Sequence, residues 1–178
     1  MLSRLSRLSA LKVGNPWEPD TDLGPLLNKT QFEKAVAYIA QGLKDGAELV
    51  TGGIPNRILS SGNYVEPTVF RKVTRDMSIA REEIFGPVVT VQTYEDIDDA
   101  IAITNDTDFG LSGSIFGDPS TAFEVARRIR TGQVHINGME LALSAPFGGF
   151  KESGIGREGG PEGLAAFLET KAVLFPSR

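Results

Sequence analysis

Short β-rich runs alternate with helix signals along this chain, and this alternation constrains the fold more than any other feature. The best-marked helix follows Asn28, which can cap it with Gln31 three residues later, and Gly46 can end it. Another helix starts at Asp118 and Pro119, a capping aspartate followed by proline at the first helical position. Alternating strands and helices favour βαβ units. We therefore predict an α/β fold: a mostly parallel sheet with flanking helices.

The same signals place the individual elements along the chain. The predicted strands are residues 47–51, 64–73 (an edge or broken strand, because it contains Pro67), 88–93, 113–116, 134–137 and 170–175. The predicted helices are residues 1–11, 28–46, 77–81, 96–105, 118–130 and 164–168. The side chains predicted to face inward from the two best-marked helices are Phe32, Val36, Ile39 and Leu43, and Phe123, Ala126 and Ile129.

Composition and charge narrow the class of protein. The 178 residues carry a net charge of −5, whereas phosphate binding needs a clustered basic surface, so we do not expect nucleic acid as a partner. No run of 18 apolar residues occurs, so we expect no membrane-spanning helix and no membrane partner. With no cysteine and the single histidine His135, the sequence predicts no cysteine nucleophile and no metal site. We expect a cytoplasmic location.

A glycine motif near the C-terminal end resembles a dinucleotide-binding loop only in its spacing. Residues 154–159 read G-x-G-x-x-G, but such a loop needs a strand before it and a helix opening at it. The preceding residues 150–153 are not a β-rich run. The sequence therefore predicts a glycine-rich turn with left-handed backbone at this position.

Two other motifs carry more information together than alone. Adjacent carboxylates such as Glu82 and Glu83 are usually a solvated pair, but here Ile-Phe-Gly-Pro follows them. Residues 146–150, Pro-Phe-Gly-Gly-Phe, place two aromatic residues around a glycine pair. That pattern is equally consistent with an apolar wall beside a ligand and with core packing.

Taken together and in order, these motifs resemble the aldehyde dehydrogenase superfamily over nearly the whole chain. The resembling segments are residues 12–16 and 22–26 (after the family's catalytic cysteine region), 62–69 (an extended connector), 82–87, 105–111 and 146–157. Full-length members of this family oxidise aldehydes to carboxylic acids with NAD or NADP. The resemblance implies that this chain is part of the catalytic domain of such an enzyme.

The resemblance also implies roles for six residues. Glu83 should accept hydrogen bonds from the ribose hydroxyls beside the nicotinamide, and Phe85 should pack near the nicotinamide ring. Gln31 and Lys34, one turn apart on the well-capped helix, should reach the same ribose. Phe147 should line the aldehyde tunnel. A second tunnel residue should come from residues 139–143. Counting back from Pro146 gives Leu141, and counting forward from Asn137 gives Ala142.

The departures from the family pattern limit what this chain can do. The family's nucleophilic cysteine, its glutamate general base and its oxyanion-stabilising asparagine map to no residue here, so we assign no catalytic residue. Residues 1–163 are then a partial catalytic domain, and residues 164–178 a C-terminal helix and oligomerisation strand. The substrate would be a small-molecule aldehyde and the protein partner a second copy or the missing N-terminal half.

Two functional hypotheses follow from this resemblance. In the first, the chain is a fragment of an NAD(P)-dependent aldehyde dehydrogenase that is inactive alone. In the second, it is a non-catalytic assembly module or split-enzyme subunit that associates through its C-terminal strand, by adding that strand to a partner's sheet. Regained aldehyde-dependent NAD(P)H formation on mixing with the missing N-terminal half would distinguish a split enzyme from an assembly module.

Overall fold

A computed structural model describes residues 8, 10–53, 62–138 and 142–176 of the chain. The chain forms two compact units, Met1–Thr107 and Asp108–Arg178. The helices are α1 (Lys29–Lys44), α2 (Ser78–Arg81), α3 (Ile97–Asn105), α4 (Pro119–Ala126) and α5 (Gly160–Ala165). The strands are β1 (Glu48–Thr51), β2 (Thr68–Arg71), β3 (Val88–Thr90), β4 (Phe109–Gly110), β5 (Ser112–Ile115), β6 (Gln133–Ile136) and β7 (Phe150–Lys151). Most of the helix predicted over residues 1–11 lies outside the described residues.

Helix α1 begins and ends where the sequence predicts. The side chain of Asn28 accepts a 2.9 Å hydrogen bond from the backbone N–H of Gln31, which satisfies one of the free donors at the helix start. Gly46 follows the last turn with φ +90°, a left-handed conformation that suits glycine.

The buried face of α1 is built on small residues. Ala35, Ile39 and Gly42 are buried, whereas Leu43, predicted to face inward, is exposed. A Cβ atom added at Gly42 would lie 2.8 Å from Cδ1 of Ile79, so this glycine lets α1 lie close against α2. The predicted inward stripe is therefore correct at Ile39 and at Phe32 and Val36, which are partly buried against the core, and wrong at Leu43.

A three-stranded sheet lies in the first unit with the order β1-β2-β3. Strands β1 and β2 are antiparallel, with Leu49 opposite Phe70, and β2 and β3 are parallel, with Val69 opposite Val89. Phe70 is fully buried at the centre of the core. The buried members of that core are Ala35, Ile39, Ala47, Val65, Phe70, Val73, Met77, Ile79 and Ile84.

The second unit contains a βαβ arrangement. Strands β5 and β6 pair in parallel, with Ile115 opposite Ile136, and α4 lies between them in the chain. Strands β4 and β7 form a short antiparallel pair, with Gly110 opposite Phe150. Within the described residues, two of the four strand pairings are parallel and two are antiparallel. The predicted α/β class, with parallel strands and flanking helices, is confirmed.

Two predictions in the second unit are wrong in detail. In α4, Ala122 is buried and Phe123 is 57% exposed, because neighbouring helical residues point about 100° apart and the buried position is one residue earlier than predicted. Helix α5 begins at Gly160 rather than near residue 164, with a proline in its first turn. Residues 168–176 are exposed and form no helix or strand. The strand predicted at 170–175 needs a partner's backbone, so its pairing stays a prediction.

Candidate functional site

The loop of residues 82–85 connects α2 to the turn before β3, and Ile84 is its one buried residue. The backbone N–H of Glu82 caps α2 by donating to the carbonyl oxygen of Ser78 at 2.9 Å. Ile84 is buried in the core, whereas Glu83 and Phe85 are exposed. Burial of Ile84 therefore turns its two neighbours outward.

Phe85 has an unusual backbone conformation. Its φ angle is +56°, in the left-handed region that bulky residues rarely adopt, and its side chain is 72% exposed. Such a conformation persists only where surrounding contacts hold it, and it occurs preferentially at functional sites. The contacts that hold it here come from α1.

Gln31 and Lys34 on α1 hold the backbone of the 82–85 loop. Nε2 of Gln31 donates to the carbonyl oxygens of Ile84 at 2.8 Å and Phe85 at 2.9 Å. Nζ of Lys34 donates to the carbonyl oxygen of Glu83 at 2.8 Å. The carbonyl groups of three successive loop residues thus accept hydrogen bonds from side chains on one face of α1. The structure brings the four residues predicted to bind cofactor to one place, and their contact with the nicotinamide and its ribose stays a prediction.

Tyr38, which the sequence analysis did not single out, completes this helix face. Its hydroxyl donates a hydrogen bond to the carboxylate of Glu82. That bond, together with burial, raises the pKa of the Tyr38 phenol above its usual value. The available signal was spacing: Gln31, Lys34 and Tyr38 stand at i, i+3 and i+7, which lie on one face of a helix.

An open groove of about 540 Å³ runs beside this contact in the first unit. Seven of its eight lining residues have a polar side chain, Tyr38 and Glu82 among them. The other lining residues are Lys34, Ala37, Gln41, Asp45, Asp76 and Ser78.

The second unit carries the residue predicted to line an aldehyde tunnel. Phe147 pairs with Glu158 through two backbone hydrogen bonds of 2.7 Å, and its side chain is 45% exposed. Nη1 of Arg157 donates to the carbonyl oxygens of Gly149 at 3.1 Å and Gly156 at 2.6 Å, which ties the two sides of this loop together. The second predicted tunnel residue, Leu141, lies outside the described residues. The alternative at that position, Ala142, is exposed.

The glycine motif of residues 154–159 has the left-handed backbone predicted for it, but it follows the two-residue strand β7 where no β-rich run was predicted. Gly154, Gly156 and Gly159 have φ angles of +131°, +82° and +69°, conformations in which an L side chain is strained. Within the described part of the chain, no group of three or more His, Asp or Glu side chains could hold a metal ion. Among the same residues, no helix is long and apolar enough to cross a membrane.

Comparison with known proteins identifies the family. The sequence profile described as the aldehyde dehydrogenase family matches residues 3–173. The chain belongs to the aldehyde dehydrogenase family. A relative from Staphylococcus saprophyticus that bears the family's name is 48% identical over 170 residues, which are 94% of this chain and 36% of the relative.

Solved aldehyde dehydrogenase structures share the fold. The enzyme of Mycobacterium tuberculosis, complexed with NAD+, is 43% identical with a TM-score of 0.93, covering 98% of this chain and 37% of that one. A variant of aldehyde dehydrogenase C from Pseudomonas syringae, complexed with NAD+ and octanal, is 46% identical with a TM-score of 0.91, covering 95% and 35%. This chain therefore spans about a third of the length of the aldehyde dehydrogenases it matches.

Proposed function

We propose that this chain supplies one wall of the nicotinamide site of an NAD- or NADP-dependent aldehyde dehydrogenase, and that it is inactive alone. The observation that carries the proposal is the 82–85 loop, which exposes a carboxylate and an aromatic ring while α1 holds its backbone. The solved relatives complexed with NAD+ support NAD as the cofactor. The substrate is a small-molecule aldehyde, which is oxidised to a carboxylic acid.

The exposed groups of the 82–85 loop fit a nicotinamide riboside. An ionised carboxylate only accepts hydrogen bonds, so Glu83 suits vicinal hydroxyls, and the exposed ring of Phe85 offers a face for packing against a heterocycle. Gln31 and Lys34 keep both side chains directed outward and add their remaining polar atoms at the edge of the ribose. The bound cofactor supplies hydride-accepting chemistry.

The second unit carries the residues proposed to contact the aldehyde. Phe147 lines the path of the aldehyde in this proposal, and the second tunnel residue is Leu141 or Ala142. No residue of this chain is proposed as catalytic, because the family's nucleophile is a cysteine and the 178 residues contain none. A cytoplasmic location is part of the same proposal, and cell fractionation with an antibody against this chain tests it.

Complementation tests the proposed function directly. The purified chain is mixed with the N-terminal remainder of the Mycobacterium tuberculosis relative, and aldehyde-dependent NADH formation is followed. We expect activity from the mixture and none from either part. Glu83→Gln should raise the KM for NAD more than about tenfold, since charged hydrogen bonds to ribose are lost. Glu95→Gln, an exposed carboxylate outside the loop, is the control. Equal effects of the two substitutions would count against the assignment of Glu83.

Exposed apolar side chains in the C-terminal segment favour a second candidate, an assembly module. Large exposed apolar surfaces mark association sites. The exposed residues are Leu164, Phe167, Leu168, Val173, Leu174 and Phe175. In this case the chain self-associates by adding residues 170–175 to a partner's sheet. Light scattering should then show oligomers that Val173→Lys dissociates and Lys171→Gln does not, and complementation should give no activity. A monodisperse monomer at high concentration would exclude the assembly module.

A further inference from the structure

Tyr38 occupies a junction between the helix and the loop that the family roles leave unexplained. Its hydroxyl bonds to Glu82, a residue 44 positions away in the chain. Its ring lies under the ammonium group of Lys34, with Nζ 5.7 Å from the ring centroid. One side chain therefore contacts both the residue that precedes Glu83 and the lysine that binds the Glu83 carbonyl.

The Glu82 contact restrains the loop at its first residue. The backbone N–H of Glu82 already bonds to Ser78, so anchoring the carboxylate as well fixes this residue at both its backbone and its side chain. The left-handed Phe85 follows three residues later, and a strained residue holds its conformation only if the segment around it is over-determined. Gln31 restrains the far end of the segment and Tyr38 the near end.

The Lys34 contact acts on the middle of the loop. A cation over the face of an aromatic ring is attracted by the ring quadrupole within about 6 Å of the centroid. Lys34 is otherwise a long, exposed side chain with many rotamers. The ring of Tyr38 therefore favours the rotamer of Lys34 in which its ammonium group reaches the Glu83 carbonyl.

We propose that Tyr38 is a positioning residue, which through Glu82 and Lys34 holds the 82–85 loop in its cofactor-binding conformation. The effect on cofactor binding rests on the proposed function. The restraint of the loop, which is the first step, concerns this chain alone. An ordinary surface tyrosine would pack its ring without restraining a distant loop.

Hydrogen exchange in the intact 178-residue chain tests the first step. Tyr38→Phe keeps the ring and removes the hydroxyl, so amide exchange in the peptide covering residues 82–88 should be faster by roughly two- to tenfold. Exchange in β2 should be unchanged. Tyr94→Phe, an exposed tyrosine of the same unit, is the matched control and should match the wild type.

A double-mutant cycle separates positioning from a general loss of structure. Glu82→Gln retains a side-chain oxygen that accepts from the hydroxyl and should preserve slow loop exchange, whereas Glu82→Ala should accelerate it. In the Glu82→Ala background, Tyr38→Phe should add less than its effect in the wild type. Additive effects, or a Tyr38→Phe loop that exchanges like the wild type, would overturn the inference.

The cofactor step has its own readout in the complementation mixture. If Tyr38→Phe loosens the loop, we expect it to raise the KM for NAD by about the factor by which it accelerates amide exchange in the loop. The KM for the aldehyde should be unchanged. A loosened loop with an unchanged KM for NAD overturns the cofactor step. A mixture in which even the wild-type chain forms no NADH counts against the proposed function instead, while the exchange data still decide whether Tyr38 restrains the loop.

Discussion

Gln31 and Phe85 lie 54 positions apart in the chain, and Nε2 of Gln31 donates a 2.9 Å hydrogen bond to the carbonyl oxygen of Phe85. The same nitrogen donates to the carbonyl oxygen of Ile84 at 2.8 Å. A primary amide carries two N–H donors, so both are used by the backbone of one loop. The side chain predicted to reach a cofactor therefore also builds the surface that faces it.

Replacing Gln31 should loosen the first unit. Gln31→Ala removes both donors and leaves the partly buried carbonyl group of Ile84 and the exposed one of Phe85 without this partner, which should lower the free energy of unfolding by roughly 1–3 kcal/mol. Gln41→Ala on the same helix is the control, because it gains the same helix propensity and loses only an exposed bond to Asp45. Urea unfolding followed by circular dichroism measures both. Equal losses in the two variants would contradict the structural role of Gln31.

The backbone of Phe85 should carry measurable strain. Phe85→Gly and Phe85→Ala both remove the exposed ring, but only glycine adopts φ +56° without steric conflict. We expect the glycine variant to be more stable than the alanine variant by about 1 kcal/mol in the same unfolding experiment. An alanine variant at least as stable as the glycine variant would show that the loop is not strained. Neither variant should support cofactor packing.

Local signals explain why parts of this fold can be predicted from sequence. Asn28 caps α1 and Asp118 caps α4 because each side chain reaches a backbone N–H three residues later, a distance within any sequence window. The positive φ angles of the glycine motif follow from residue type in the same way. Elements that depend only on nearby residues were therefore predicted within a few residues of their observed bounds.

Contacts between distant segments explain what the sequence does not reveal. The bond from Tyr38 to Glu82 joins residues 44 positions apart, and no spacing rule connects them. The two-residue strands β4 and β7 are too short to show alternation, so their pairing was not predicted. The roles of Glu83, Phe85 and Phe147 came from family resemblance rather than from pattern, because exposed side chains on loops have no periodicity.

Gly132 should tolerate no side chain. A Cβ atom at this position would lie 1.5 Å from the carbonyl oxygen of Gly148, which is a clash with backbone that cannot rotate away. We expect Gly132→Ala to destabilise the second unit by at least about 3 kcal/mol. Gly117→Ala is the control, since no atom lies within 4 Å of its added Cβ. Hydrogen exchange should show lost protection in β5 and β6 only for the first variant. Similar protection in both would mean that the approach of Gly148 is not close.

Asp118 should make the stability of the second unit depend on acid pH. Its Oδ1 accepts hydrogen bonds from the hydroxyl of Ser120 at 2.7 Å and from the backbone N–H and the hydroxyl of Thr121 at 2.9 and 3.0 Å. These bonds, with that of Ser120 foremost, lower the pKa of the Asp118 carboxyl to about 2. An unfolded aspartate has a pKa of about 3.9.

Because the folded pKa of Asp118 is the lower one, its ionised form stabilises the fold. That contribution is fully present above the unfolded pKa of ~3.9 and is lost as pH falls through about 2. Asp118→Asn keeps an acceptor for the helix cap but does not titrate, so the wild type should lose stability relative to this variant across that window. Ser120→Ala removes the largest cause of the shift and should move the loss to higher pH. Thermal unfolding at a series of pH values measures both effects. If the stability difference between wild type and Asp118→Asn stays constant with pH, the charge of Asp118 does not contribute to the cap.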